Sequence, residues 1–262
     1  VAFGMFAVII LLGIAGPVIA PYDPLESNAA LALQPPNLQH WFGTDNLGRD
    51  VFSRVIAATR LDLMISVAAV ALSFVFGVAI GSAAGYWGGW IDAVSGRVVD
   101  TVMAFPLFVL AMGIVSALGN TVENIIYATA IINLPFYARL ARAEVRIRRN
   151  AGFVQAARLS GNTDLRILTM QIFPNTLPPM MVQISLNMGW AILNAAGLSF
   201  IGLGVRSPTP EWGIMVAEGA NFVVSGEWWL AIFPGMALMA AVFTFNMMGD
   251  GLRDLVDPRQ RT

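Results

Sequence analysis

The amino-acid sequence predicts an all-α membrane protein with six transmembrane helices and a short helix between the fourth and the fifth. Its 262 residues are 57% hydrophobic and 12% charged, whereas about a quarter of the residues are charged in typical soluble domains. Six runs without a charged residue approach or exceed the length of a transmembrane helix, which needs about 20 apolar residues. These two observations place the chain in a membrane.

The charge-free runs define the predicted spans: they cover residues 1–22, 63–91, 101–122, 124–138, 167–205 and 228–249. The fourth run is short, and we expect its helix to extend a few residues in both directions. The fifth run is too long for one span. Because a helix interior tolerates proline poorly, Pro174, Pro178 and Pro179 are predicted to divide it, so that the fifth span begins near Leu177.

The arginines predict the orientation, because short cytoplasmic loops carry an excess of basic residues. With the N-terminus inside, eleven of the fifteen arginines are cytoplasmic: Arg97, Arg139, Arg142, Arg146, Arg148, Arg149, Arg158, Arg166, Arg253, Arg259 and Arg261. Both termini are therefore predicted to be cytoplasmic. The first run lacks a preceding basic segment, so we expect an anchored helix and not a cleaved signal peptide.

The chain divides by this topology into two predicted parts. Residues 1–60 contain the first transmembrane helix and an extracytoplasmic segment. Residues 61–262 form a core of five helices that includes a cytoplasmic loop at 139–175. A long polar insertion in an otherwise tightly looped membrane protein usually carries function, so this loop is the first place to look for a site.

The absence of several residue types excludes most catalytic and metal-binding chemistry. The sequence has no lysine and no cysteine, and His40 is its single histidine. Without lysine there is no Walker A phosphate-binding loop and no Schiff base, and without cysteine the usual zinc ligand sets are missing. We therefore predict no catalytic site, no metal site and no cofactor bound by this chain. A net charge of −1 predicts no nucleic-acid partner.

A short helix is predicted within the loop, at residues 152–161. Phe153, Ala156 and Ala157 share one side of it, and Gly161 suits its C-terminal end. A helix of this length cannot bury an apolar side alone. The pattern fits an interfacial helix lying on the bilayer and a docking helix for a soluble partner equally well.

Polar residues inside the spans form a second candidate site. Gln183, Asn187 and Asn194 lie on one stripe of the fifth span, since 3.6 residues make one helical turn. They would line a path for a solute or form hydrogen bonds between helices, and both interpretations stay open. Small residues at helical spacing on the second span predict close helix packing at Gly77, Gly81 and Gly85.

Charged residues outside the spans form a third group. Asp45, Arg49, Asp50 and Arg54 alternate in sign. They would dock an extracytoplasmic protein or close a pore, but we favour local salt bridges that hold the segment together. An outer interfacial belt is predicted to contain the aromatic residues Trp212, Trp228 and Trp229.

Several separated motifs resemble one known family. The sequence reads FGTDNLGRD at 42–50, AGLSFIGLG at 196–204, PTPEWG at 208–213, WWLAIFPG at 228–235 and FNMMGDGLRDLVDPR at 245–259. In this order they are similar to the C-type permease subunit of dipeptide and oligopeptide ABC importers. The resemblance extends from about residue 40 to the end of the chain.

The predicted short helix resembles the EAA loop by which such permeases contact their ATPase. Gln155, Ala156 and Ala157 are followed by Gly161 and Pro174 at the spacing of that loop, with Gln155 where the family commonly has Glu. The resemblance implies that the residues coupling this chain to an ATPase are Phe153, Gln155, Ala156, Ala157, Arg158, Leu159, Gly161 and Pro174.

The resemblance also implies a fold, partners and a location. The fold would be the six-helix type I ABC importer permease, in a bacterial inner membrane. Its partners would be a second, B-type permease subunit, two cytoplasmic ABC ATPase subunits that hold ATP and Mg, and an extracytoplasmic solute-binding protein. The chain would be a non-catalytic subunit. Related permeases carry dipeptides, oligopeptides, nickel chelates or glutathione, and a less favoured alternative is an ion-coupled secondary transporter.

Overall fold

The structure, a computed structural model, describes residues 2–256. Ten α-helices follow one another in these residues: α1 (Ala2–Ile19), α2 (Val51–Trp87), α3 (Gly89–Ala104), α4 (Leu107–Leu118), α5 (Val122–Arg148), α6 (Gly152–Leu159), α7 (Asp164–Arg166), α8 (Phe173–Phe200), α9 (Trp212–Ala220) and α10 (Trp229–Val256). A 3₁₀ turn covers Ala29–Leu31, and a π-helical turn, Ile167–Ile172, joins α7 to α8. Within 2–256, β structure is limited to one isolated bridge between Thr44 and Asp50. The predicted all-α fold is confirmed.

Helix α2 runs the length of the molecule, because its 37 residues rise about 1.5 Å each and so cover about 55 Å. Near its start, the carbonyl oxygen of Val55 accepts a 2.9 Å hydrogen bond from the indole of Trp212 in α9. Near its end, Tyr86 packs in a cluster with Val154 of α6. We call these two ends of the molecule the α9 side and the α6 side.

Helices α2 and α5 pack closely because glycines on α2 face the backbone of α5. A Cβ atom added at Gly81 would lie 2.1 Å from the carbonyl oxygen of Ala138, and one at Gly77 would lie 2.8 Å from that of Leu134. Gly85 lies similarly close to the next turn of α5. The close packing predicted from the spacing of these glycines is confirmed.

The remaining long helices complete the core around α2. Helix α10 packs against α8, α9 and α1, and α8 also contacts α2 and α5. Buried side chains from all six of these helices meet in one apolar cluster, which includes Val70, Tyr137, Met188, Trp229 and Phe245. Trp229 is therefore buried and does not belong to the predicted interfacial belt.

The predicted number of six spans is not confirmed. By length and composition, α2 and α10 are each able to cross a membrane, and α3 with α4 would make a third span although the two meet at 94°. The structure therefore supports two or three of the six predicted spans by this criterion. Arg259 and Arg261, two of the arginines used for the orientation, lie outside the described residues.

The predicted boundary between residues 60 and 61 is wrong as a structural division. Helix α2 begins at Val51 and continues through Arg60 and Leu61 without a break. The ten residues before position 61 are therefore part of the long helix and not of a separate segment. The reason is that Asp50 caps the helix, accepting 2.7 Å hydrogen bonds from the backbone N–H and hydroxyl of Ser53.

The prolines of the fifth run do not separate two elements as predicted. Helical structure is continuous from Asp164 to Phe200, with Pro174 in the first turn of α8, where no N–H is needed, and Pro178 and Pro179 inside the helix. The wide π turn precedes them. Side chains then supply donors to backbone carbonyls of this region, since Asn175 donates to Gln171 and Thr176 to Phe173, both at 2.7 Å.

The glycine contact between α2 and α5 generates a testable prediction. Gly81→Ala places a methyl group against the α5 backbone, so we expect a loss of about 1–3 kcal/mol in unfolding free energy, the usual cost of overpacking. Thermal unfolding in detergent measures this loss. Gly113→Ala in α4 is the matched control, because nothing lies within 4 Å of the added Cβ. A Gly81→Ala protein as stable as the control would contradict the close contact.

Candidate functional site

Helix α6 packs against the rest of the chain through two buried apolar residues on one side. Val154 and Ala157 are buried in a cluster whose other members come from α2, α5 and the π turn: Tyr86, Val145, Ile167, Leu168 and Ile172. The helix, predicted at 152–161, occupies Gly152–Leu159. The side of the helix that carries Val154 and Ala157 is thus covered by other parts of the chain.

The opposite side of α6 is open to the surroundings. Its exposed residues after Gly152 are Phe153, Gln155, Ala156, Arg158 and Leu159. Leu159 is 90% exposed and Phe153 is 42% exposed. The predicted grouping of Ala157 with Phe153 and Ala156 is wrong, because Ala157 points into the seat. Phe153, Ala156 and Leu159 are exposed on the other side of the helix.

The C-terminal end of α6 turns sharply away from the helix. Gly161 has φ +79°, a conformation that favours glycine. The side-chain amide of Asn162 donates a 3.0 Å hydrogen bond to the carbonyl oxygen of Ala157 and so closes the last turn. Pro174, the remaining residue of the predicted coupling set, begins α8 beyond the π turn.

A polar contact, here called the Tyr86 latch, ties α6 to α2. The hydroxyl of Tyr86 donates to the carboxylate of Asp164 at 2.6 Å and accepts from the guanidinium of Arg158 at 3.2 Å. The guanidinium carbon also lies 5.7 Å from the centre of the tyrosine ring. The hydrogen bond to Tyr86 is the main factor that raises the pKa of Arg158. The sequence offered no signal for this contact, since Tyr86 and Asp164 are 78 positions apart.

The stripe of amide side chains on α8 is buried. Asn187 and Asn194 are both buried, and Gln183 donates a 2.9 Å hydrogen bond to the side-chain oxygen of Asn187. The side-chain nitrogens of Asn187 and Asn194 have no hydrogen-bond partner within 2–256, and neither does the hydroxyl of Tyr137 on α5. Buried donors without partners are costly. The structure therefore places the three predicted residues on one side of α8 and brings Gln183 and Asn187 into direct contact.

The charged residues of the third group are buried and paired, not exposed. Asp45 accepts hydrogen bonds from the backbone N–H and the guanidinium of Arg49, at 3.0 and 2.6 Å. Arg54 lies 3.6 Å from the same carboxylate and donates to the carbonyl oxygens of Pro24 and Pro208. One guanidinium thus joins three distant segments, so this group stabilises the α9 side. Burial removes Arg54 from any docking surface of this chain.

Two buried carboxylates on the α9 side were missed by sequence analysis. Glu211 caps α9 by accepting 2.8 Å hydrogen bonds from the backbone N–H groups of Gly213 and Ile214. Asp62 of α2 accepts a 3.1 Å hydrogen bond from the backbone N–H of Trp212. The side chain of Trp212, the first residue of α9, is therefore buried against α2. Its predicted place in an interfacial belt is wrong. Glutamate is not among the preferred capping residues, so the sequence carried little signal for this cap.

Comparisons with known proteins agree on one family. Residues 77–262 match the family described as binding-protein-dependent transport system inner membrane component. The chain is 42% identical to the dipeptide transport system permease protein DppC of Alkalihalophilus pseudofirmus, over 97% of this chain and 83% of that one. It is 41% identical to the glutathione transport system permease protein GsiD of Escherichia coli O1:K1 / APEC, over 96% of this chain and 83% of that one.

A solved structure supports the fold. The inward-facing MetNI methionine ABC transporter contains a chain that matches with a TM-score of 0.65, covering 78% of this chain and 96% of that one. The sequence identity is 14%, so the likeness concerns the fold alone.

The Tyr86 latch predicts a local effect on α6. Tyr86→Phe keeps the ring in its cluster and removes both hydrogen bonds, so we expect amide hydrogen exchange in residues 152–159 to accelerate roughly fivefold. Hydrogen-exchange mass spectrometry measures this rate. Tyr22→Phe is the matched control, because it removes one hydroxyl contact, to Gln39, on the α9 side. Equal exchange of α6 in the two variants would show that the latch does not hold the helix.

Proposed function

Because the chain belongs to the family of binding-protein-dependent transport system inner membrane components, and is thus a permease subunit of an ABC importer, we propose that it forms half of a translocation pathway for dipeptides and oligopeptides. Such permeases are transport components and not catalysts. The other half of the pathway is a second, B-type permease subunit. Two cytoplasmic ATPase subunits bind ATP and Mg, and an extracytoplasmic binding protein delivers the solute.

The exposed side of α6 carries this proposal. Phe153, Ala156 and Leu159 form an apolar surface that residues 2–256 leave exposed, while the other side of the helix is fixed by Val154, Ala157 and the Tyr86 latch. A helix held in this way moves as one body with the elements beneath it. An ATPase bound to this surface would therefore shift α2 and α5 when its two subunits close on ATP. This assignment makes the α6 side cytoplasmic, with both termini on that side.

The amide stripe of α8 supports a peptide as the solute. Gln183, Asn187 and Asn194 offer donors and acceptors that match a peptide backbone, and the side-chain nitrogens of both asparagines are without partners in the chain as described. A relative named for dipeptides and one named for glutathione are almost equally identical to this chain. Glutathione is itself a peptide, so it is the first alternative, and a nickel chelate is the second.

An ion-coupled secondary transporter is not favoured by the buried carboxylates. Asp62 and Glu211 would be the candidates for binding a coupling ion. Both are occupied with backbone N–H groups at the start of α9. Their geometry is that of helix capping, so they support the architecture of the α9 side.

The proposed docking surface predicts different effects for glutamate substitutions at two neighbouring alanines: one weakens ATPase binding and the other destabilises this chain. Ala156→Glu places a charge in the proposed interface, so we expect at least roughly tenfold less ATPase subunit to copurify, with unchanged thermal unfolding of this chain. Ala157→Glu buries the charge within the chain and lowers the unfolding temperature itself. Purification in mild detergent, protein identification and unfolding scans measure both effects. Ala93→Glu, at an exposed position of α3, is the matched control.

Transport assays in liposomes complete this test. The wild-type complex is expected to accumulate a labelled dipeptide only with ATP, and Ala156→Glu to abolish that accumulation. Separate assays with labelled glutathione and with a nickel chelate measure which of the three solutes is accumulated. Full copurification and coupled transport by Ala156→Glu would overturn the role of α6. A chain that purifies alone and transports without ATP would overturn the ABC assignment for its activity.

A further inference from the structure

Two adjoining apolar grooves lie along α1 and α2. The first has a volume of about 450 Å³ and is lined by Ile10 and Ile14 of α1 and by Leu63, Met64 and Val67 of α2. The second, of about 370 Å³, shares Ile10, Leu63 and Val67 with it and continues toward the α6 side. Together they make one continuous apolar channel on the flank of the chain. We call it the α1–α2 groove.

The groove is open on its outer flank. Ile14 is 73% exposed and Val67 is 52% exposed, although both lie in strongly apolar helices. Helices α1 and α2 touch at the α9-side end of the groove, where a Cβ added at Gly13 would lie 2.8 Å from the Leu63 side chain. An occupant therefore enters from the flank, which in a membrane is the side of the lipid.

A single charge stands at the α9-side mouth of the groove. Arg60 lines the first groove and is exposed, with Met64 and Val67 following it at helical spacing on the same side of α2. No carboxylate of residues 2–256 lies within salt-bridge distance of its guanidinium. A Cβ added at Gly13 would lie 4.0 Å from Cα of Arg60, so Arg60 stands about 9 Å inside the end of α1 at Ile19.

A cation at this depth needs an anionic partner. An arginine in an apolar setting is costly unless its guanidinium reaches the interface or pairs with an anion. Guanidinium binds phosphate through two parallel hydrogen bonds. The combination of an apolar groove that opens on lipid and a guanidinium at its mouth matches one molecule with a long apolar chain and a phosphate at one end.

We propose that the α1–α2 groove is a binding site for a phospholipid, whose acyl chain lies along Ile10, Leu63 and Val67 and whose phosphate binds Arg60. This inference is independent of the transported solute. The lipid fills the open groove between α1 and α2, beside the direct contacts that α1 makes with α2 at Gly13 and Gly16 and with Phe245 of α10 at Phe6. It thereby fastens α1 to the subunit.

The size of the groove favours a flexible chain over a helix of another subunit. A helix with its side chains is about 10 Å wide. The groove narrows at Gly13, where an added Cβ would lie 2.8 Å from the Leu63 side chain, so a cylinder of that width does not fit along its whole length. An acyl chain is much thinner and bends with the groove, so it fills both halves.

Photocrosslinking tests the site directly. The chain is purified with the subunits that accompany it and placed in nanodiscs of phosphatidylcholine with phosphatidylglycerol, together with a trace of phosphatidylglycerol that carries a photoreactive group in its acyl chain. We expect crosslinks concentrated on residues 10–14 and 63–67. Arg60→Gln is expected to lower them about fivefold, the effect of one arginine on an anionic lipid. Val67→Trp fills the groove and is expected to abolish them.

Two matched controls and one second probe make the outcome decisive. Arg97→Gln removes an exposed arginine elsewhere, and Val75→Trp adds the same bulk to an exposed position of α2 outside the groove, so both should leave the crosslinks unchanged. A photoreactive diacylglycerol of the same chain length lacks the phosphate and should label the groove weakly. Uniform labelling of all exposed apolar residues, insensitivity to Arg60→Gln, or crosslinks from the groove to another subunit would each overturn the proposal.

Discussion

The contact between α2 and α5 governs the arrangement of the other elements. Glycines at three successive turns of α2 let its backbone lie directly against α5, and no larger residue would permit that distance. Because α2 is one unbroken helix of about 55 Å, the distance and orientation between its two ends are fixed. Asp50 and Arg54 organise one end, and Tyr86 organises the other. The α9 side and the seat of α6 are therefore parts of one mechanical unit.

Buried polar groups divide into those that this chain satisfies and those that it does not. On the α9 side, carboxylates cap α2 and α9, and the guanidinium of Arg54 donates to carbonyl oxygens of two distant segments, although its Nη2 has no partner within 2–256. On α8, the side-chain nitrogens of Asn187 and Asn194 have no partner in the described chain. Buried donors without partners are rare in folded proteins, and a ligand or another subunit can supply the missing acceptor.

The three proposed contacts use different parts of the subunit. The ATPase is proposed to bind the outer side of α6, the solute to meet the amide stripe of α8, and a phospholipid to bind the α1–α2 groove. These parts lie on different helices that share contacts with α2. Under these proposals, a displacement at α6 would reach α8 through packed helices.

The sequence by itself determined the membrane class, the helical fold, the position of α6 to within two residues and the family, because hydrophobic runs, glycine spacing and ordered motifs are local properties. Only the tertiary structure decided which side of α6 is free: Ala157 is buried since Ile167 and Ile172, beyond the next turn, cover it. It also decided that Arg54 is buried and paired, because its partners come from distant segments. Spacing along a helix records which residues share a side, whereas burial depends on what the rest of the chain places against that side.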